Sequence, residues 1–531
     1  MNNSSNEFRD IDVCISRGSC SISPAIVSLQ LLVMTVLQQT AYYILKLEQH
    51  GAVNFKIRFE IISILSALVS TNEFSQEQLY EIVLNSYYML EESKNTYSKL
   101  SKSFGFRARS LKSIEDLSSK TTVAQAISIG ETIFQSQLRK RQQSLRNRVE
   151  LLLILVKSLA LNLSKLEGSD TFGDEAYHEI LEVLNILNHD KLSARTISEK
   201  IDSIVKFDTI TRLDVCKNLL KKYGGISEVK VSHSSRPGKA ILVSGNNFSD
   251  LEKVLNLTQG KNIDVYTHSN LLIAHSFNDF NSYENLIGHY GSSTENCILD
   301  FATFPGAILL TENSHNYNEF LYRGRLFSTD YIVPSGVEAL AHGDFSSLID
   351  SAQNSKGFSK GKQKGESSVG FNLQEVDELL ENILSKFQYK RIYIVGVDSH
   401  LESQKSYFEK LFQKLKSNEA VISFSYSSPR ENVYTINVGN YSPLVTMLLN
   451  KLFSKFDLTA DNIVFFITLC DVMSISSIIS LKNSGAKNIY MAPCSPMVIN
   501  PSVVDFFIKE YNISQMGSVC KDLEQIRNSS N

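Results

Sequence analysis

Thiols carry the first chemical signal in this chain. The stretch VCISRGSC sets Cys14 and Cys20 six positions apart, and a pair at that spacing can be half of a metal site, a disulfide or chemically idle. The remaining cysteines, Cys216, Cys297, Cys470, Cys494 and Cys520, are scattered through 531 residues. An odd total of seven, behind a polar, acidic start that lacks the basic and apolar segments of a secretory leader, argues for reduced thiols rather than a disulfide framework. The expected location is the cytoplasm.

Charge offers no polyanionic partner. Lys+Arg number 53 against Asp+Glu 56, a formal net charge of -3, and no run of like charge is long enough for a nucleic-acid tail or a membrane patch. The densest basic segment, LRKRQQSLRNRVE, carries its charges around Leu138, Leu145 and Val149 and reads as a solvated helix face. Neither nucleic acid nor membrane is expected as a partner. Gly-x-Gly-x-x-Gly and Walker patterns are absent, so no phosphate cradle is indicated.

The elements that must position any chemistry divide near residue 225. Before it, apolar residues recur at helical spacing in FKIRFEIISILSALVS, QLYEIVLNSYYMLEE, VELLLILVKSLALNLSKLE and EILEVLNILNHDKL. The early stretch AIVSLQLLVMTVLQQTAYYIL contains Ser28, Gln30, Gln38, Gln39 and Thr40, which bilayer insertion would penalise, and reads as a buried helix. After residue 225 short β-branched or aromatic runs alternate with helical segments. KAILVSG, NIDVYTH, GAILLTEN and DYIVP come first, followed by RIYIVGVDS, AVISFSYS, YTINVG, NIVFFITL and NIYMAP. That alternation implies mainly parallel sheets with helices on both faces. Between the two groups, NSKGFSKGKQKGESSVG at 354–370 reads as a linker. The expected organisation is an all-α helical bundle over 1–225, then two α/β Rossmann-like domains over 226–360 and 361–531. Ligand chemistry in such sheets belongs in the loops after the strands.

Those loops resemble one family. KAILVSGNNFSDLEKVLNLTQGKNIDVYTHSNLLIAH, FPGAILLTENS and NIVFFITLCDVMSISSIISLKNSGAKNIYMAPCSPMVINPSVVDFFIKEYNI, with VCISRGSCSISPAIVSLQ at the other end, are similar to stretches of the hybrid-cluster proteins, also called prismane proteins or hydroxylamine reductases. The likeness keeps the same order over nearly the whole chain. It implies a helical domain followed by two α/β domains. It also implies a cubane held by four N-terminal cysteines, and an iron–sulfur–oxygen hybrid cluster in the α/β loops where hydroxylamine or nitrogen oxides are reduced.

Carried over position by position, the resemblance meets few ligands. Cys14 and Cys20 match half of the cubane motif, while its other two cysteines fall on Asn2 and Ser5. At the hybrid cluster, the family histidine of SGHD falls on Asn246 and the glutamate of HGEML on Asn270. The cysteine of TTNC falls on Ser314, the persulfide cysteine of GCDG on Val397, and the cysteines of LACGK and GQCND on Ser427 and Tyr441. In the WYEQK stretch Asp471 keeps a carboxylate and Met473 replaces the lysine. Iron–sulfur clusters need soft thiolates, which alcohols, amides and valine do not supply.

The expected reading is a family member that has kept the fold, bound no cluster and lost the redox reaction, acting as a non-catalytic binding or regulatory protein. Three alternatives stay open. A metal site is rebuilt from neighbours, with His268, His315, Cys470 and Cys494 as replacement ligands and His400 nearby; the chain remains an active reductase with unusual ligation; or Cys14 and Cys20 of two copies share one cubane across a dimer. The sequence names no partner beyond a second copy or an active relative.

Overall fold

The computed structural model describes residues 23–69, 74–138, 141–166, 173–189, 191–291, 297–312, 324–330, 332–333, 335–340, 343–385, 389–397, 404–425, 430–455, 461–468, 472–492 and 501–528. The chain forms two compact units, Met1–Thr211 with Ser495–Glu510, and Arg212–Cys494 with Tyr511–Asn531.

The first unit is helical. Its central helix, Pro24–Glu48, starts where Ser23 caps the Ile26 amide and Pro24 supplies a pre-set first turn. By length and composition this helix could cross a bilayer, yet Leu29, Leu32, Val33, Val36 and Leu37 are all fully buried in the unit. Of the polar residues that argued against insertion, Ser28 and Thr40 are accommodated locally and Gln39 reaches the Lys112 carbonyl at 2.9 Å. Ser28, Thr35 and Thr40 each return their hydroxyl to a carbonyl four residues back, which satisfies them inside a dry interface. Helices Gln76–Phe104, Val123–Ile133 and Asp174–Ile186 pack around it.

One expectation changes here. The basic segment around Arg148 is not simply solvated, because the helix Gln143–Ser164 receives the late helix Pro501–Glu510. Arg148 lies over the Phe506 ring at 4.9 Å and pairs with Glu510, while Asn147 donates to the Ser502 carbonyl at 3.2 Å. Stems of long cations cover apolar surface in this way while their heads find carboxylates.

The second unit holds the sheets. After β1 (Val229–Ser232), the strands β2 (Lys239–Ser244), β3 (Ile263–His268), β4 (Leu286–His289), β5 (Ala307–Leu310), β6 (Leu326–Ser328) and β7 (Glu338–Ala339) form a parallel sheet in the order β4-β3-β2-β5-β6-β7. Next, β8 (Glu366–Val369) returns antiparallel to β1. The strands β9 (Arg391–Val397), β10 (Glu419–Ser423), β11 (Val433–Thr435), β12 (Ile463–Ile467), β13 (Asn488–Met491) and β14 (Ser514–Gln515) then form a second parallel sheet, ordered β11-β10-β9-β12-β13-β14. Both orders are the doubly wound one, with the strand order reversing beside β2 and beside β9. Strands such as β2, β3, β5 and β12 are buried along nearly their whole length, which is why they read as continuous apolar runs instead of alternating ones.

Two segments differ from the sequence reading. Of DYIVP, Tyr331 and Pro334 lie outside the described residues, and Asp330, Ile332 and Val333 belong to no strand; β6 is the preceding LFS, which pairs with β5. The 354–370 stretch is no free linker: it runs antiparallel to residues 229–238 through β1–β8 and bridges at Ser235–Lys362 and Gly238–Phe358. Its backbone amides make the pairing, so its Lys- and Gly-rich side chains gave no apolar period to detect.

Candidate functional site

In open parallel sheets a ligand crevice lies where the strand order reverses, here beyond the carboxyl ends of β2 and β5. There the chain leaves β2 through Gly245 at φ +122, where an added Cβ would come within 2.0 Å of the Thr311 carbonyl oxygen. Only glycine fits this turn. Thr311 then fills the mouth of the following helix, Phe248–Thr258. Its hydroxyl accepts the amides of Asn246 and Asn247, each at 3.2 Å, and donates to the Ser244 carbonyl at 3.0 Å.

Asn246 and Asn270, two of the positions that the resemblance assigns to cluster ligands, meet directly. Asn270 Nδ2 donates to Asn246 Oδ1 at 2.8 Å. Ser269, at φ 59, turns the chain from β3 into the 3-10 segment that carries Asn270, a left-handed conformation uncommon for a residue with a side chain. Tyr441, a third such position, is only 2% exposed and sets its ring edge-on to Phe248 at 5.2 Å. Burial pushes its phenol well above the usual range, and Glu312, Cys216 and Tyr223 nearby push the same way. Phe248 packs in turn on Phe277 at 5.4 Å and on Tyr223 at 6.1 Å. Beyond Asn246 and Asn270 the interior is therefore aromatic.

Met473 is half-buried, and its carbonyl accepts a hydrogen bond from Arg212 Nη2 at 3.0 Å. Arg212 is itself buried and also donates from Nη1 to the hydroxyls of Ser442 and Ser477, at 3.1 and 2.8 Å. One guanidinium thus ties the residue after Tyr441 to the helix Val472–Asn483 that carries Met473, using the fixed fork that suits Arg to buried multi-point contacts. Val397 closes β9 opposite Ile467. Asn2, Ser5, Cys14, Cys20, Ser314, His315, His400, Ser427, Cys470, Asp471 and Cys494 lie outside the described residues.

His268, expected as a replacement ligand, has both ring nitrogens engaged by the protein. Nδ1 meets Ser244 Oγ at 2.9 Å and Nε2 meets Asp300 Oδ2 at 3.4 Å. Its ring stacks on His289 at 6.3 Å, which opens a cluster that sequence reasoning missed. Thr267 Oγ1 lies 2.9 Å from both His289 Nδ1 and His275 Nε2. His233 stands edge-on to His289 at 5.8 Å and reaches Ser367 Oγ at 2.9 Å. Burial lowers the pKa of His275 to about 4, with His233 alongside adding to the effect. Burial, reinforced by the other three imidazoles, keeps His289 well below its usual range, and burial lowers His233 as well. These rings are neutral and hydroxyl-bridged. A signal for them existed in the sequence, since His268 and His289 end two strands that alternate with helices.

Chemically, the ligand positions among the described residues carry two amides, a phenol and a valine, and Met473 stands where the family has a lysine. None is a thiolate, imidazole or carboxylate, and the two amides hydrogen-bond each other. This donor set does not fit an iron–sulfur–oxygen cluster.

Comparison with known proteins gives the ancestry. Residues 11–425 match the model of the Prismane/CO dehydrogenase family. A protein of Thermodesulfovibrio yellowstonii named hydroxylamine reductase is 23% identical over 537 residues, covering 97% of each chain. A second protein of that name, from Rhodospirillum rubrum, is 24% identical over 535 residues and 96% of each chain. A third, from Kosmotoga olearia, is 26% identical over 419 residues, or 73% of this chain and 74% of the relative. The family match takes in three of the four stretches that carried the resemblance in the sequence, the fourth, 462–513, lying beyond it, and the chain belongs to the Prismane/CO dehydrogenase family.

Proposed function

We propose that this chain is a family member that has kept the fold and given up iron–sulfur redox catalysis, and that it works in the cytoplasm as a binding or regulatory protein. The observation that carries this reading is the Asn270–Asn246 hydrogen bond of 2.8 Å with Tyr441 buried beside Phe248. Side chains at three positions where the family would hold its hybrid cluster bond to one another or to the protein core instead of leaving donors directed at a shared centre. A core keeps its fold through such drift when volume and pattern are conserved, since ligands matter only to the cluster they hold. Arg212 supports the same reading, because it supplies a cross-brace of its own between the segments that follow Tyr441 and Met473.

The test is iron and acid-labile sulfide on protein purified without oxygen, with its visible spectrum and hydroxylamine reduction from an artificial electron donor. The expected outcome is a colourless protein without sulfide and without turnover. Several iron atoms per chain with cluster absorption, or turnover above the metal-free background, would overturn the proposal. Iron near two per chain that disappears together with dimerisation in Cys14→Ser would point to the shared cubane.

A further inference from the structure

The segment 354–370 is an ordered ribbon of exposed cations. It is pinned by Phe358, whose ring packs on Tyr266, Phe304 and Tyr290 at 5.6, 5.5 and 5.9 Å. Backbone bonds hold it to the opposite strand: Gly238 and Phe358 exchange amides at 3.0 and 2.8 Å, Ser235 and Lys362 at 2.9 and 3.0 Å. Gly357 lies so close to that strand that an added Cβ would meet the Gly238 carbonyl oxygen at 2.2 Å. Gly357 is thus packed inward, whereas Gly361, Gly365 and the lysines beside them are exposed.

Lys356, Lys360, Lys362 and Lys364 are all exposed, with Lys230 exposed on the facing strand. Two-residue spacing in extended chain puts Lys362 and Lys364 about 6–7 Å apart, and Lys360 precedes them in the bend at 359–360. Several lysines elsewhere are matched with carboxylates, as in Lys451–Asp377, Lys455–Glu381 and Lys200–Glu182. Among the described residues these five make no ion pair; Lys364 instead lies over the Tyr290 ring at 5.5 Å. The ribbon's own carboxylates stand at its other end, where Glu228 takes the Ser368 hydroxyl and Glu366 opposes Ser232. A rigid row of unmatched like charges repels itself, a cost that an oppositely charged partner removes.

The geometry points to this ribbon as a docking surface for a carboxylate-rich segment of a partner protein. Lysine ammonium groups at this pitch match acidic side chains at alternate positions of an extended peptide, and such complementarity steers association. The ribbon carries no exposed aromatic platform on which bases could stack, since Lys364 covers Tyr290. It also has no outward apolar residue to enter a lipid interface, because Phe358 is turned into the core. The surface has this character whether or not the chain holds iron.

The experiment is fluorescence anisotropy with a labelled decapeptide carrying glutamate at alternate positions, titrated with the full chain at low and high salt. Binding is expected at low salt, weakened by salt, and reduced at least ~10-fold by the combined changes Lys360→Glu, Lys362→Glu and Lys364→Glu. Lys120→Glu with Lys217→Glu, exposed cations elsewhere, should leave it unchanged. Should the triple variant melt early by circular dichroism, carbodiimide cross-linking of the peptide to the wild-type chain replaces it, and adducts are expected on the ribbon lysines. No binding, equal loss in the control variant, or adducts elsewhere would overturn the proposal. So would tighter binding of single-stranded oligothymidylate or of phosphatidylserine vesicles, which would assign the surface to nucleic acid or to membrane.

Discussion

The two parallel sheets share one strand order but differ in the character of their main buried polar networks. In the first sheet polar groups gather at the carboxyl ends of β2, β3 and β4, where the hydroxyls of Ser244 and Thr267 meet the imidazoles of His268 and His289. In the second they gather at the amino ends of β9 and β10 and are ionic. Glu419, 1% exposed, accepts from Arg527 at 2.9 and 2.5 Å, from Tyr393 at 3.1 Å and from the Lys416 amide at 3.0 Å, with Arg391 at 3.9 Å. Burial alone would raise its pKa, but the Arg527 guanidinium and the Lys416 amide hold it below the usual range. Ligands in this architecture bind beyond carboxyl ends, so the ionic network sits where only stability is at stake. The neutral network sits where chemistry once could be.

Breaking the ionic end should have the largest effect. Glu419→Ala leaves Arg527 and Arg391 without their shared carboxylate, and stranding a buried charge costs about 3–5 kcal/mol. A urea titration should show a clearly lowered midpoint; a midpoint within error of the parent would mean that solvent already screens the network.

Acid should separate the two ends next. An unfolded histidine takes up its proton near pH 6.5, whereas His275 resists until about 4. Between those values the unfolded chain binds more protons, so stability falls as pH falls, by at most about 3 kcal/mol for this one ring. Glu419 runs later. Its folded pKa lies below the unfolded value, so its contribution persists until the pH drops under the ordinary carboxylate range. Urea midpoints stepped from pH 7 to 4.5 should therefore decline in the parent and decline less in His275→Gln. Equal slopes would show that this imidazole is not held neutral.

Much of this architecture was legible as pattern, and the reasons it stopped being legible are physical. Buried parallel strands such as KAILVS and IVFFI announce themselves because both faces must be apolar. The β1–β8 ribbon is built from backbone bonds beneath Lys, Ser and Gly side chains, and composition made it look like a linker. β6 went unread because LFS is only three residues long and the more apolar DYIVP follows it. At the site, Asn246 and Asn270 stand in the loops after β2 and β3, but their hydrogen bond joins residues 24 apart and exists only once β2 and β3 are side by side. His268 was visible through its motif, whereas His275 and His233 enter the cluster through folds of the chain that carry no periodic signal.

Thr267→Val probes the neutral end at its bridge. The valine keeps the volume and removes the oxygen that lies 2.9 Å from both His275 and His289. Leaving buried ring nitrogens without a partner costs about 2 kcal/mol, and the urea midpoint should fall by less than in Glu419→Ala. A change as large as the ionic one would mean that the imidazoles carry charge in the folded chain.

Ser244→Ala should have the smallest effect and the most specific reading. It removes the hydroxyl from His268 Nδ1 but leaves Asp300 on Nε2 at 3.4 Å, so one bond of ordinary net worth is lost, about 1 kcal/mol. Asp300 accepts, so Nε2 carries the proton facing it and Nδ1 takes the Ser244 hydroxyl; without that hydroxyl Nδ1 loses its donor, and its resonance should shift in nitrogen-detected NMR of the histidine side chains. The stacked His289, bound through Thr267, should keep its signals in place. If both rings respond together, the hydroxyls and imidazoles at the carboxyl ends form one coupled network. If His268 responds alone, its bond to Ser244 is a local anchor, and the neutral end of the first sheet divides into two independent pairs where the second sheet has a single ionic hub.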